Sequence, residues 1–133
     1  MIGAARLAAT RHPRTATALL FVALTVVHTW PLASAPGYWS RTDNGDTSLN
    51  AWAVTWVART LPVDPLRLYD ANIFHPEKRT LAYSEHLVAQ GVMVMPVVWL
   101  GGSAVLAFNV AMMAGFALTG WAFCLLVHRW TGS

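Results

Sequence analysis

The chain has 133 residues, of which 56% are hydrophobic and only 11% are charged. Charged residues make up about a quarter of an average soluble domain, so this composition excludes an ordinary soluble protein and indicates a membrane protein. The formal net charge of +3 does not indicate a nucleic-acid partner, because the basic residues form no concentrated patch in the polar part of the chain.

The charges are distributed unevenly. Residues 1–14 contain three arginines and no acid, whereas all six acidic residues lie between Asp43 and Glu85, where basic residues nearly balance them. The three arginines are Arg6, Arg11 and Arg14. A basic flank before the first apolar segment is typical of a cytoplasmic end. The pattern therefore predicts a membrane protein with its amino terminus in the cytoplasm.

Residues 15–34 form the first apolar segment and predict a transmembrane helix that leaves the cytoplasm. An alternative is a cleavable signal peptide, because the basic start and apolar run are followed by the small residues Ala33, Ser34 and Ala35. Further apolar segments follow, which favours retention. Both interpretations export the next part of the chain.

Residues 35–84 are polar and rich in turn-forming residues, which predicts an extracytoplasmic loop. Within this loop, apolar residues recur at helical spacing between Leu49 and Val57 and predict a short amphipathic helix. Its tryptophans suit a helix that lies on the membrane surface, and packing against neighbouring membrane helices would require the same pattern. The sequence leaves both interpretations open.

Two more helices are predicted, over residues 84–100 and 103–128, and together they predict an all-α membrane protein with about three transmembrane helices. The first of them contains Gly91 and Pro96 and is short enough to be re-entrant. The second carries a stripe of small residues on which a partner subunit or a neighbouring transmembrane helix can pack, and its Asn109 is expected to face protein. The stripe is formed by Ala107, Ala111, Gly115 and Thr119. Three crossings would place Arg129 on the exported side.

Asp43 and Asp46 are the candidate catalytic residues. Two carboxylates just outside a membrane can act as a general base or bind a divalent cation through oxygen ligands. The structural alternative is an Asn44-Gly45 turn followed by Asp46 as the N-cap of the amphipathic helix. The residues alone favour the capping role.

Glu85, His86 and Arg41 are the candidate substrate-binding residues. A carboxylate beside an imidazole at a membrane boundary can bind a polar substrate, and it can equally be the solvated end of a helix. Four other basic residues of the loop can contact phosphate, or they contact only solvent and lipid headgroups. They are Arg59, Arg67, Lys78 and Arg79. The histidine spacing matches no metal motif.

In order along the chain, several short motifs resemble the opening of bacterial GT-C-type membrane glycosyltransferases and related multipass proteins. They are the basic start, Asn44-Gly45-Asp46 before an aromatic helix, Asp64-Pro65, Leu68 to Pro76, Ser84-Glu85-His86 and His128 to Gly132. The resemblance covers nearly the whole chain.

The resemblance implies a polytopic enzyme that transfers a sugar from a polyprenyl-phosphate donor to an acceptor on the outer face of the membrane. An acidic residue of the first exported loop would act as base or metal contact, and Asp46 matches that position best, with Asp43 second. Such enzymes are much longer, so we expect an amino-terminal portion that is inactive alone. A noncatalytic membrane subunit and the opening segment of a transporter are the alternatives.

Overall fold

The computed structural model describes residues 13–40 and 45–132, and within these ranges it has four α-helices and no strand. The α-helices are α1 (Pro13–His28), α2 (Gly45–Thr60), α3 (Val88–Trp99) and α4 (Ala104–Thr131). Short 3-10 helices occupy Leu32–Ser34, Pro65–Arg67 and Thr80–Tyr83. The predicted all-α class is therefore confirmed for the described part of the chain.

The chain divides into two compact units. Their described residues are 13–33 with 113–132, which we call the helix-pair unit, and 34–40 with 45–112, which we call the loop unit. Helix α4 contributes its first residues to the loop unit and the remainder to the helix-pair unit.

Among the described helices, α4 alone is long and apolar enough to cross a membrane. Its 28 residues rise about 42 Å, which exceeds the roughly 30 Å of a hydrocarbon core. Only 6% of its most apolar stretch is buried, so it is not the core helix of a soluble fold. The predicted helix over 103–128 is confirmed, but three spans are not shown.

The other two predicted spans are shorter than expected. Helix α1 ends at His28 instead of residue 34, because the chain turns before Pro31, which has no N–H to continue the helix. Helix α3 begins at Val88 instead of residue 84, after Leu87 adopts a positive φ of 47°. Its 12 residues rise only about 18 Å.

In the helix-pair unit, α1 packs antiparallel to the last part of α4. The His28 ring contacts Phe116 edge-on with centroids 5.6 Å apart, while at the other end Trp121 Nε1 donates to the Arg14 carbonyl oxygen at 3.1 Å. The carboxyl end of α4, with Arg129, therefore lies beside the start of α1. The three-span order would instead separate these two ends.

In the helix-pair unit, polar side chains are buried and many large apolar side chains are exposed. Thr25 and Thr29 are buried, and the Thr29 hydroxyl donates to the Thr25 carbonyl oxygen at 2.8 Å. Large apolar side chains are exposed instead, among them Leu19, Leu20, Val27, Phe123 and Trp130. So many exposed large apolar side chains indicate contact with lipid or protein, because large apolar exposure on a soluble monomer is rare.

The core of the loop unit lies where α2, α3 and the start of α4 meet. The buried residues there are Val54, Ala58, Val94, Val98, Ala107 and Ala111. The predicted amphipathic helix is thus observed as α2, and it packs against neighbouring helices in the way that the second interpretation required. The first two small residues of the α4 stripe are covered by this packing.

Helices α2 and α3 come closest at Gly91. A Cβ added there would lie 2.5 Å from Val57 Cβ and 3.2 Å from the Val54 carbonyl oxygen, so no other residue fits without movement. Trp99 Nε1 also donates to the Ala58 carbonyl oxygen at 3.1 Å, at the other end of the same contact. Helix α3 is therefore fixed against α2 at both ends.

The segment between α2 and α3 folds back over α2. Trp56 Nε1 donates to the Leu68 carbonyl oxygen at 2.8 Å, and the buried Thr80 hydroxyl donates to the Ala71 carbonyl oxygen at 3.0 Å. Leu68, Ala71 and Leu81 are buried with Ala53 and Val57. These contacts give the polar segment a defined course with two short 3-10 helices and no α-helix.

Candidate functional site

A cavity of about 440 Å³ lies beside Glu85, a predicted site residue, and against one face of α2. We call it the Glu85 cavity. It is lined by Leu49, Trp52, Ala53, Ile73, Phe74, Thr80, Leu81, Tyr83, Ser84 and Glu85. Mostly apolar and aromatic walls with a few polar groups are typical of small-molecule sites.

Aromatic rings form much of the wall beside Glu85. Phe74 and Tyr83 stack with their centroids 6.1 Å apart and their planes at 22°. Both residues line the cavity and are exposed, so a bound molecule can contact them. The sequence placed Trp52 on the apolar stripe of the amphipathic helix and predicted no binding-site role for Trp52, Phe74 or Tyr83. The available signal was that Phe74 lies within the Leu68 to Pro76 motif and Tyr83 directly precedes the Ser84-Glu85-His86 motif.

Glu85 supplies the carboxylate of this cavity. The Glu85 side chain is exposed. Within residues 13–40 and 45–132, the observed ion pair joins Arg67 and Asp64 at 3.9 Å and does not involve Glu85. An exposed carboxylate beside aromatic rings can accept hydrogen bonds from the hydroxyl groups of a polar substrate. The structure thus places one predicted binding residue at a cavity.

Asp46 lies in the first turn of α2 and is exposed. Because a helix repeats every 3.6 residues, Asp46 shares a face with Leu49 and Ala53, which line the Glu85 cavity. The helix begins at Gly45, so Asp46 is a first-turn residue and not the N-cap that the sequence suggested. A carboxylate there still interacts favourably with the helix dipole.

The remaining predicted residues are not all brought together. His86 turns to Tyr69, with ring centroids 5.8 Å apart and planes at 89°, and neither ring lines the Glu85 cavity. Glu85 and His86 therefore have different surroundings although they are adjacent in sequence. Asp43 and Arg41 lie outside the described residues.

A second cavity of about 510 Å³ lies on another face of α2, and we call it the Arg59 cavity. One face of α2 lines this cavity, because its residues there follow the helical repeat. They are Ser48, Trp52, Thr55 and Arg59, and Asn72 lines the cavity from the loop. Trp52 lines both cavities and stacks on Trp56 with centroids 6.0 Å apart. Of the four basic residues proposed for phosphate, Arg59 is the one that lines this cavity.

No group of three or more His, Cys, Asp or Glu side chains converges on a possible metal site in the described part of the chain. Glu85 supplies one oxygen-bearing group at its cavity, and Asp46 lies on the adjoining helix face.

Comparison with protein-family models, curated proteins and solved structures finds no match to this chain.

Proposed function

We propose that the chain is the amino-terminal part of a membrane glycosyltransferase of the GT-C type, which takes a sugar from a polyprenyl-phosphate donor on the outer face of the membrane. The observation that carries the proposal is the Glu85 cavity. Its aromatic walls and single carboxylate suit a sugar ring, and the cavity adjoins the helix face on which Asp46 lies. In this proposal Asp46 is the general base and Glu85 binds substrate hydroxyl groups.

We further propose that the chain crosses the inner membrane twice, through α1 and α4. The antiparallel contacts of these helices support this topology, because they bring Arg14 and Arg129 to one end. If that end is cytoplasmic, the basic residues before α1 and at the end of α4 both obey the positive-inside rule. In a three-span order, by contrast, Arg129 would lie on the exported side and violate that rule. Helix α3 then stays on the exported side, which agrees with its 12-residue length.

The same contacts support retention of α1 over cleavage as a signal peptide. Cleavage near Ala35 would remove Phe21, whose ring occupies the space that a Cβ at Gly120 would need. It would also remove the partner of the Trp121 indole. Helix α4 would lose both contacts and expose further apolar surface.

The proposed chemistry is tested in membranes that contain the protein expressed from its complete coding sequence. Asp46→Asn should lower transfer from a panel of polyprenyl-phosphate-linked sugars by about 10²- to 10⁴-fold, which is the usual contribution of a general base. Asparagine removes the charge but keeps the size, so Tm should change little. Glu85→Gln should raise KM more than it lowers kcat, because it removes a binding contact.

Asp64→Asn is the matched control, since Asp64 is an exposed carboxylate in a surface ion pair with Arg67. It should leave transfer unchanged, as surface pairs contribute little. Full transfer activity in Asp46→Asn would defeat the assignment of Asp46 as the base.

A noncatalytic membrane subunit is the second candidate function. It is favoured by the later half of the small-residue stripe on α4, where a Cβ added to Gly115 would meet no atom within 4 Å and Thr119 is exposed. A helix of another subunit fits such a surface. Co-purification of a second membrane protein that Gly115→Leu abolishes, without any transfer activity in the complex, would favour this candidate.

A further inference from the structure

A third cavity lies within the helix-pair unit, between the start of α1 and the end of α4. Its volume is about 500 Å³, and we call it the Arg14 cavity. Arg14 and Thr17 line it from α1, and Cys124, His128 and Thr131 line it from α4. The proposed sugar chemistry uses none of these residues.

The cavity combines polar groups with an apolar wall. Arg14 and His128 provide hydrogen-bond donors at its edge, whereas Phe123 lines it with an apolar ring. Arg14, His128 and Phe123 are all exposed, so a molecule can reach them from the surface. A ligand with a polar head and a hydrocarbon tail matches this distribution.

The charged residues of the helix-pair unit indicate which charge the polar head of the ligand carries. Residues 1–33 and 113–133 contain no aspartate or glutamate, but they contain four arginines. Arg14 also lies in the first turn of α1, where the helix dipole disfavours a cation and favours an anion. An anionic ligand would therefore supply the negative charge that the sequence of this unit lacks.

We infer that the Arg14 cavity binds an anionic phospholipid of the cytoplasmic leaflet, with its phosphate at Arg14 and His128 and an acyl chain along Phe123. Arginine makes strong, charge-assisted hydrogen bonds to phosphate oxygens. Basic pockets between transmembrane helices on the cytoplasmic side are suited to such headgroups. This inference rests on the proposed insertion of α1 and α4 into the membrane.

The test measures lipid binding to the full chain, purified in mild detergent, by native mass spectrometry with added phosphatidylglycerol or phosphatidylcholine. The wild type should retain one phosphatidylglycerol in preference to phosphatidylcholine. Arg14→Gln should weaken that binding about fivefold, since one basic residue near an anionic surface contributes about 1 kcal/mol. Arg6 and Arg11 remain in this variant, so the start of the chain stays basic.

Arg67→Gln is the matched control, because Arg67 is exposed and belongs to the loop unit. It should not change the affinity. Equal binding of the two lipids, equal weakening by both variants, or displacement of the lipid by inorganic phosphate at the same concentration would each overturn the proposed lipid site.

Cys124 provides an independent readout, since it is the single cysteine of the chain and lines the cavity. Phosphatidylglycerol should slow its modification by N-ethylmaleimide in the wild type, and Arg14→Gln should need about fivefold more of the lipid for the same protection. Unchanged modification in the wild type would count against the site. Membrane insertion is scored separately by flotation of the protein with vesicles, so a failed lipid site is distinguishable from a failed topology.

Discussion

Asn109 donates its side-chain amide to the carbonyl oxygens of both Pro36 and Trp39, each at 2.7 Å, and it is only 1% exposed. Removing the amide would leave two carbonyl groups without this donor. Asn109→Ala should therefore lower the free energy of unfolding by about 1–3 kcal/mol. The measurement is thermal unfolding in detergent followed by tryptophan fluorescence. Asn72→Ala, at an exposed position, should leave Tm unchanged, and an equal loss in both variants would contradict this role.

Single residues were predictable from sequence where chemistry restricts the choices. An asparagine in an apolar helix must find polar partners, so the expectation that Asn109 faces protein is confirmed. Its partners lie more than 60 residues away in the chain, at Pro36 and Trp39, and local sequence could not identify them. The different surroundings of Glu85 and His86 likewise depend on long-range contacts with Tyr69 and α2.

At the scale of elements, the contact between α2 and α3 depends on the missing side chain of Gly91. Gly91→Ala would force the added methyl group against Val57 and the Val54 carbonyl oxygen. We expect a loss of about 1–3 kcal/mol in the free energy of unfolding, as in other overpacked contacts. Thermal unfolding in detergent measures this loss.

Gly115→Ala is the control for that substitution, because it makes the same change within α4 where no atom lies within 4 Å of the added Cβ. It should not destabilise the protein, since alanine is the better helix former. If Gly91→Ala proved as stable as Gly115→Ala, α2 and α3 would not be packed as the structure describes.

Helix boundaries were harder to predict than helix existence. Each of the four α-helices lies in a segment whose apolar pattern predicted one, and α4 matches its predicted range to within a few residues. The predicted spans at 15–34 and 84–100 were too long, because the hydropathy of a segment does not show where the backbone turns within it. The turn before Pro31 and the positive φ of Leu87 set those boundaries.

At the scale of the whole molecule, hydropathy predicted about three crossings, and the described residues contain one helix, α4, that is long and apolar enough to be one. When every apolar segment is counted as a span, successive spans cross the membrane in opposite directions. Counting one short helix as a span therefore reverses the direction assigned to every later span. The 12-residue α3 has this effect, because treating it as a span sends Arg129 to the exported side. The proposed two-crossing arrangement depends instead on the contacts of α1 with the end of α4, which bring the two helix ends together.

The proposed topology is tested most directly by labelling single cysteines in a Cys124→Ser background, in intact spheroplasts, with a maleimide that does not cross the membrane. Leu66→Cys, at a position that is 95% exposed in the loop unit, should react from outside. Ser133→Cys should react only after permeabilisation, because two crossings return the end of α4 to the cytoplasm. Labelling of the Ser133→Cys variant in intact spheroplasts would contradict the two-crossing arrangement.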